Sequence, residues 1–515
     1  MDKTITSYMA SLDVLRENDD FELSLALQNN SALLQRALQE GKTEGTRESL
    51  TLLACRTIQS CLGEDVKLDP DPELANTNWS QSCWKTPKCI VYPRSAKDVS
   101  RTIKILALLH TPFSVRCGGL SPTPGHSSIE DEVLIDLKEM KEIEISEDGK
   151  IASVGPGARW NDVYEALDSH GMSVVGPRLP DGGIGGFILG GGLSFFSGEY
   201  GLSADKVENF EVVLSDGLIV DANSAEHPDL FWALKGGGAN FGVVTRFDLS
   251  TVPIRDIWYS MSTYAITEVP EILLAFEQWQ LRSADPKSAI LLRMGLDSCT
   301  ITLVYSAAWT KGRPPCFNAF YGIDIMEHLI LPTNGTVVLL TQALAKLFPH
   351  SPARHDHRAA SRKNDLGLYS AVEAYWIWRK ETLALRESTG AEVTFMIQHV
   401  PKTLIEKGVE DGSNPLGLSA VPQQWWQIIA DWDSAEDDDL VRESMSDITD
   451  RWKDLAKKQG THLDFEFMNN AAGDQNPLRS YGETNLQKLK TISAKYDKAQ
   501  VFQSLQNGGF LLSRA

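Results

Sequence analysis

Residues 113–126 read Phe-Ser-Val-Arg-Cys-Gly-Gly-Leu-Ser-Pro-Thr-Pro-Gly-His, and this stretch decides the fold of the chain. An apolar run leads into the adjacent glycines Gly118 and Gly119, which lie between Arg116 and Ser121. Because glycine has no Cβ atom, backbone amides can approach a diphosphate closely at such a turn. One Gly-Gly turn is weak support for a ligand site, so its weight depends on the rest of the sequence.

Three further glycine-rich segments fall in the same half of the chain, at residues 155–157, 182–192 and 236–242. Four such loops indicate one extended ligand. None of them has the G-x-G-x-x-G spacing that places a pyrophosphate at the start of a Rossmann helix. A nicotinamide dinucleotide site is therefore disfavoured.

Other motifs follow in a recognisable order between Trp79 and Leu512. They are Trp79-Ser80, Pro87-Lys88-Cys89-Ile90, Gly185-Gly186-Phe187-Ile188-Leu189-Gly190-Gly191-Gly192, Asp229-Leu230-Phe231-Trp232, Asn240-Phe241-Gly242, Met468-Asn469, Tyr496-Asp497 and Val501-Phe502-Gln503. With these motifs the chain resembles the berberine bridge enzyme-like oxidases, which have the vanillyl-alcohol oxidase/p-cresol methylhydroxylase type of FAD-binding fold. Fungal members, commonly placed in natural-product pathways, are the most similar.

The resemblance implies an α+β fold with two lobes, a vanillyl-alcohol oxidase-type FAD-binding lobe and a substrate domain built on an antiparallel sheet. It divides the chain into an N-terminal helical extension packed on the FAD lobe (1–84), an FAD-binding domain (85–252), a substrate-binding domain (253–460) and a C-terminal segment that returns to the FAD lobe (461–515). The FAD lobe is then discontinuous in sequence.

The resemblance also implies where FAD binds. The pyrophosphate and the ring are expected at the backbone of residues 117–121 and 183–187, with two valines along the apolar edge of the ring. The residues expected to bind the cofactor are Arg116, Cys117, Gly118, Gly119, Leu120, Ser121, Leu179, Gly183, Ile184, Gly186, Phe187, Gly191, Val243, Val244 and Asn469.

Three departures from the family pattern concern the flavin itself. Leu120 occupies the position of the histidine that bonds covalently to the ring, and Leu179 occupies the position of the cysteine that forms a second bond in bicovalent members. In Phe467-Met468-Asn469, a phenylalanine replaces the tyrosine that acts beside the flavin. We therefore expect non-covalent FAD and a weaker oxidant.

With the phenol absent, the candidate catalytic residues are Tyr200, Glu466 and His126; Asp464 and Gln398 are further candidates. Each also has a plain structural explanation. Period-two alternation places Glu466 on the face opposite residues 467 and 469, so its use would require a bulge. His126 follows the missing anchor by six residues, too far to replace it at about 3.3 Å per extended residue.

Two enzyme classes and a binding role remain open. In an oxidase, the substrate passes a hydride to flavin N5, a base takes the proton and dioxygen reoxidises the flavin. Alternatively, the degenerate site serves a non-redox isomerase or pericyclic cyclase that shapes a reactive polyene. A catalytically inactive binding protein is the third class.

The composition fits a globular protein with two lobes, because 515 residues with 42% hydrophobic content exceed one ordinary domain. The net charge of −20 excludes nucleic acid and anionic membrane surfaces as partners and favours a small neutral or cationic substrate. This substrate is expected to be apolar or polycyclic. The sequence has no apolar run of about 18 residues, so no membrane span is predicted. The first thirty residues lack the apolar core of a secretion signal, which predicts a cytoplasmic protein.

Cysteines and histidines predict no metal site. The seven cysteines lack C-x-x-C spacing. Most are expected as thiols, with Cys83–Cys89 or Cys55–Cys61 disulfides left open. The histidine-containing stretch 350–358 also carries proline and arginine, which predicts a solvated loop.

Periodicity predicts several elements directly. Helices are expected at 98–109, 160–170 (closed by Gly171), 371–387 and 438–459, and strands at 289–295 and 300–307. Residues 1–60 are predicted helical, with Leu23, Leu27, Leu34 and Leu38 on one face. The five tryptophans of the substrate domain suit an aromatic ligand, but core packing is favoured for each. These are Trp376, Trp378, Trp425, Trp426 and Trp432.

Overall fold

A computed structural model describes residues 20–30, 44–282, 285–348, 353–364 and 368–515. It confirms the predicted α+β fold, with three sheets that follow one another along the chain. The first sheet has the order β1-β2-β4-β3, and its neighbours β2, β4 and β3 run parallel. Its strands are β1 Val66–Leu68, β2 Cys89–Val91, β3 Phe113–Arg116 and β4 Val133–Asp136.

The second sheet is antiparallel, with the order β5-β6-β9-β7-β8. Its strands are β5 Ile143–Ile145, β6 Ile151–Val154, β7 Val207–Val213, β8 Ile219–Asn223 and β9 Val243–Ser250. β9 alternates buried and half-buried residues along most of its length, as a strand with one face in the core does.

The third sheet has eight antiparallel strands in the order β13-β10-β12-β11-β15-β16-β14-β17. They are β10 Asp256–Ala265, β11 Ser288–Met294, β12 Ser298–Tyr305, β13 Ile325–Thr336, β14 Arg354–Lys363, β15 Glu392–Val400, β16 Gln423–Trp432 and β17 His462–Leu463. One face packs on long helices, and the other shares a core with the second sheet. The predicted strands β11 and β12 are confirmed to within two residues.

The α-helices cover the outer faces of the sheets. They are Phe21–Asn29, Glu44–Leu62, Pro72–Ala75, Ala96–Leu109, Trp160–Asp168, Ile184–Leu189, Ser197–Tyr200, Pro228–Leu234, Val269–Arg282, Val337–Leu347, Leu368–Thr389, Lys402–Glu410, Asp438–Lys458, Pro477–Ser480, Glu483–Tyr496 and Val501–Ser504. Ala96–Leu109 begins where the Ser95 side chain accepts a hydrogen bond from the Asp98 amide. The predicted helices are confirmed within three residues at each end.

The helix Phe21–Asn29 and the C-terminal segment both pack on the first sheet. Leu23 and Leu27 are buried against this lobe, as predicted, whereas Leu34 and Leu38 lie outside the described residues. At the C-terminus, the Phe113 amide donates to the Leu505 carbonyl oxygen at 2.9 Å. The last residues therefore lie beside β3, which brings them close to the glycine loop that follows it.

Three further expectations concern the stretch 350–358, the cysteines and the tryptophans. The solvated loop predicted at 350–358 is wrong for the part that the structure describes, because residues from Arg354 onward pair with β16 over ten positions in β14. All seven cysteines are free thiols, so neither disulfide left open by the sequence is formed. Among the five tryptophans, Trp376 alone is exposed, at 42%, and the others are core residues as predicted. No described helix is long and apolar enough to cross a bilayer.

Candidate active site

A cavity of about 400 Å³ opens where the glycine loops, β14 and the C-terminal segment meet. Its volume falls in the range of small-molecule and cofactor pockets. Most of the residues predicted to contact the cofactor line it: Cys117, Gly118, Gly119, Leu120, Ser121, Leu179, Gly183, Gly186, Phe187, Val243, Val244 and Asn469. Three of the four glycine-rich segments, at residues 118–119, 182–192 and 236–242, thus line one continuous cavity, whereas Gly155 and Gly157 pack against the backbone of residues 137–142.

Two glycine loops meet in direct backbone contact on one side of the cavity. A Cβ on Gly118 would lie 2.4 Å from the Gly183 nitrogen and 2.7 Å from its Cα. The Arg159 guanidinium joins the same loops, because it donates to the carbonyl oxygens of Gly118 at 3.1 Å and of Asp181 at 3.2 Å. Glycine is required at both contact positions for this reason.

Arg116 supports the first loop from behind and does not line the cavity. Its side chain is 2% exposed and forms an ion pair of 2.8 Å with Asp136. It also donates to Asn78 Oδ1 at 3.1 Å and to the Ala75 carbonyl oxygen at 2.7 Å. The sequence placed Arg116 at the cofactor, but its guanidinium is fully engaged by the protein.

Ile184 and Gly191 also lie behind the cavity wall. Ile184 is fully buried in the core. Gly191 has a φ of +108°, and a Cβ added to it would lie 3.3 Å from Leu416 and 3.4 Å from the Phe467 ring. Both residues shape the loop, because the Ile184 side chain and the Cβ position of Gly191 face the core.

Asn469 fastens the helix Ile184–Leu189 and the turn after it. Its Nδ2 donates to the Gly186 carbonyl oxygen at 3.0 Å, and its Oδ1 accepts from the Gly192 amide at 3.1 Å. The preceding Phe467 is buried, with its ring 4.5 Å from that of Trp425. The position where the family has a phenol is therefore part of the core.

Two histidines, His126 and His357, line the cavity. Burial lowers the pKa of His126 to about 4 and that of His357 to about 4, so both rings are neutral at pH 7. His126 Nδ1 lies 3.4 Å from Ser121 Oγ, and its ring lies edge-on to Phe510 at 5.0 Å. The His357 ring is hydrogen-bonded to the backbone of Ala471. Both can accept a hydrogen bond from a ligand.

Sequence reasoning missed His357, although a signal was present. In a strand, residues two apart share a face, so His355 and His357 point the same way. The charged neighbours indicated a loop, but Arg358, for example, is paired with Asp474 at 2.6 Å. His355 stacks on Trp79 at 3.9 Å, which leaves His357 to face the cavity.

Tyr200 and Glu466, predicted as catalytic candidates, are held outside the cavity wall. Burial and the neighbouring Glu199 raise the pKa of Tyr200 to about 12. The Glu466 carboxylate pairs with Lys453 at 2.7 Å and accepts from the Asn476 amide at 3.0 Å. The Glu466 carboxylate is thus bound by other protein groups and points away from the cavity, as the alternation indicated. Of the three candidates, His126 lines the cavity.

Comparisons with known proteins agree with this geometry. Residues 87–223 match the model of an FAD-binding domain. An FAD-dependent monooxygenase of Arthrobotrys oligospora is 38% identical over 444 residues, which cover 86% of this chain and 85% of the relative. The chain belongs to the same family of fungal FAD-dependent enzymes as this relative. It is also 32% identical over 465 residues to the bifunctional solanapyrone synthase of Alternaria solani, with 89% of each chain covered.

The solved structure of Physcomitrella patens BBE-like 1 has the same fold, with a TM-score of 0.72 at 16% identity over 88% of this chain and 99% of that one. The cavity fits the FAD that the family binds. No side chain caps the first amides of helix Ile184–Leu189. A Cβ on Gly186 would meet no heavy atom within 4 Å, so this face of the helix opens into the cavity. Val243 and Val244 offer an apolar wall.

Proposed function

We propose that the protein oxidises a small, largely apolar natural-product intermediate with FAD that it holds without a covalent bond. The observation that carries this proposal is the lining of the cavity. Leu120 and Leu179 stand at both positions where family members anchor the ring, and both side chains line the cavity. A hydrocarbon side chain cannot form either bond. The names of the relatives, a monooxygenase and a solanapyrone synthase, support a fungal natural product as substrate.

The remaining nucleophile in the wall is poorly suited to replace these bonds. Cys117 lines the cavity, but burial raises the pKa of its thiol to about 12. The thiolate is the reactive form, so this cysteine is almost wholly unreactive near neutral pH. The two histidines, although neutral, are fixed by Ser121 and by the backbone of Ala471.

When bound, FAD supplies the hydride acceptor. The chain contributes the glycine-loop backbone for the diphosphate, apolar walls for the ring and exclusion of water. Proton transfer at the cavity falls to His126 and His357, the two imidazoles that line it. Because their pKa values are about 4, they act as weak bases. We therefore expect slow proton abstraction, or a substrate whose proton is already acidic.

The absorption spectrum of purified protein, taken before and after acid precipitation, tests the cofactor and its linkage. Non-covalent FAD is expected in the supernatant. Flavin that stays with the precipitate overturns the non-covalent proposal, and Cys117→Ser, His126→Ala and His357→Ala variants would then locate the bond.

A second candidate function is a non-redox isomerisation or cyclisation. It is favoured by the burial of Phe467 against Trp425, which removes the family's phenol from the site, and by the weak basicity of the two histidines. The product distinguishes the candidates: loss of two hydrogens or gain of one oxygen with consumption of dioxygen supports oxidation, whereas an unchanged mass without consumption of dioxygen supports the second candidate.

A further inference from the structure

Arg178 lies in a rigid segment between the lobes. Its neighbours Pro177 and Leu179 both line the flavin cavity. The segment is fixed from behind, because the Tyr164 hydroxyl donates to the Pro177 carbonyl oxygen at 2.8 Å. A Cβ on Gly176 would lie 2.4 Å from the Tyr164 hydroxyl oxygen, so the backbone packs directly on this side chain. The direction in which the Arg178 side chain leaves the segment is therefore well defined.

The Arg178 guanidinium turns toward the large sheet and forms no ion pair with a carboxylate of the described residues. One terminal nitrogen donates to Gln398 Oε1, and the guanidinium carbon lies 5.4 Å from the centre of the Phe195 ring. Its Nε is buried and has no hydrogen-bond partner among the residues that the structure describes. Burial lowers the pKa of Arg178 to about 10, and no negative charge of the described residues raises that pKa again.

The Arg178 side chain is half-buried, so part of it remains accessible. With a pKa of about 10 the guanidinium stays positively charged at pH 7. Its hydrogen bond to the neutral Gln398 leaves this charge without a counter-ion among the described residues. An anion that reaches the guanidinium would therefore gain a charge-assisted hydrogen bond.

Gln398 links this cation to the flavin cavity. Its Nε2 donates to Asn470 Oδ1 at 3.4 Å, which turns Oε1 toward Arg178. Asn470 directly follows Asn469, which lines the cavity. Through Gln398 and Asn470, Arg178 is therefore linked to the wall of the cavity in which FAD is expected.

A second arginine strengthens the local positive charge. Arg293 pairs with Met396, two residues before Gln398, so its side chain lies on the same face of the sheet. Its guanidinium carbon lies 4.0 Å from the centre of the Phe348 ring. Burial lowers its pKa, while the more distant Asp431 acts in the opposite sense. The face of the sheet turned toward the flavin lobe thus carries cations, within a protein of net charge −20.

We propose that Arg178 binds an anionic oxygen of the substrate, so that the substrate is an otherwise apolar small molecule with a carboxylate or an enolate. This inference rests on the proposed function, because it places the substrate beside the flavin. The planar guanidinium can donate two parallel hydrogen bonds to either group. Net charge favours neutral or cationic substrates, but charges beyond about 8–10 Å are largely screened, and the desolvated Arg178 acts at contact distance.

The test uses the FAD-loaded protein and four probes measured by calorimetry. Naphthoate is compared with the uncharged naphthamide, and benzoylacetone, at a pH above its own pKa where it is the enolate, with the non-ionised benzylacetone. A charge-assisted hydrogen bond of about 1.5–3 kcal/mol predicts at least about tenfold tighter binding of the anionic member. Arg178→Gln should abolish the preference and Arg178→Lys should keep part of it. The pair with the larger Arg178-dependent difference identifies carboxylate or enolate.

Arg386→Gln is the matched control, since Arg386 forms its ion pair with Asp297 at the surface. Equal binding of both members of each pair by the wild type, no binding of any probe, or a preference that survives in Arg178→Gln would overturn the proposal. A surviving preference together with a lowered flavin potential would assign Arg178 to the reduced ring instead. The FAD content of the same samples tests the proposed function separately.

Discussion

Substitution Gly118→Ala should separate the two glycine loops that form the cavity wall. The new Cβ would lie 2.4 Å from the Gly183 nitrogen and 2.7 Å from its Cα, and both of these are backbone atoms that no rotamer change can move. Non-bonded carbon atoms prefer separations of about 3.5–4.0 Å, so the loops must move apart by roughly 1 Å. Overpacking of this kind costs about 1–3 kcal/mol. We expect a lower Tm of the apoprotein and at least tenfold weaker FAD binding.

Two further glycines provide the controls. At Gly186 a Cβ meets nothing within 4 Å, but it points into the cavity; at Gly322 it also meets nothing within 4 Å, away from the site. Gly186→Ala should therefore keep the apoprotein Tm and weaken FAD binding, whereas Gly322→Ala should change neither.

Thermal unfolding of the apoprotein and titration with FAD, followed by flavin fluorescence, measure both effects. Wild-type Tm and FAD affinity in Gly118→Ala would refute the close contact of the loops. Undiminished FAD binding in Gly186→Ala would refute the assignment of this cavity to the flavin.

Other substitutions test the burial of charge. The pKa values of His126 and His357, lowered from 6.5 to about 4, mean that the unfolded chain binds protons before the native protein does. The free energy of unfolding should thus fall as pH falls through this window, by at most about 3 kcal/mol per ring, and His357→Asn should reduce the slope measured by urea unfolding. Asp136→Asn leaves Arg116 buried and unpaired and should cost about 3–5 kcal/mol in the same assay, a loss that a surface pair would not show. Glu466→Gln should lower Tm but leave the pH profile of turnover unchanged; loss of the acidic limb of that profile would instead make Glu466 a catalytic base.

Much of the cofactor lobe was predictable because its requirements are local. A close approach of backbone to ligand needs glycine at fixed positions, and those positions, such as Gly118 and Gly183, can be read from the sequence. The absence of anchoring groups at Leu120 and Leu179 is equally visible. The helix Trp160–Asp168 followed from periodicity, since its apolar residues repeat with the helical period.

The polar residues of the site were less predictable. Arg116 follows the family motif in sequence, yet an acidic partner on the neighbouring strand, Asp136, turns it away from the cavity. His357 looked like part of a charged loop, because its strand is recognisable only through pairing with β16. Both outcomes depend on a strand that is distant in sequence.

The sequence alone therefore determined the family, the cofactor and the leucines at positions 120 and 179, because each depends on the identity of residues within short motifs. Only the tertiary structure decided which polar side chains come into contact across the two lobes. Arg178 and Gln398 are 220 residues apart in the chain and meet because the large sheet packs against the flavin lobe. A charge that is exposed or buried, paired or unpaired, is a property of that packing, and no local pattern records it.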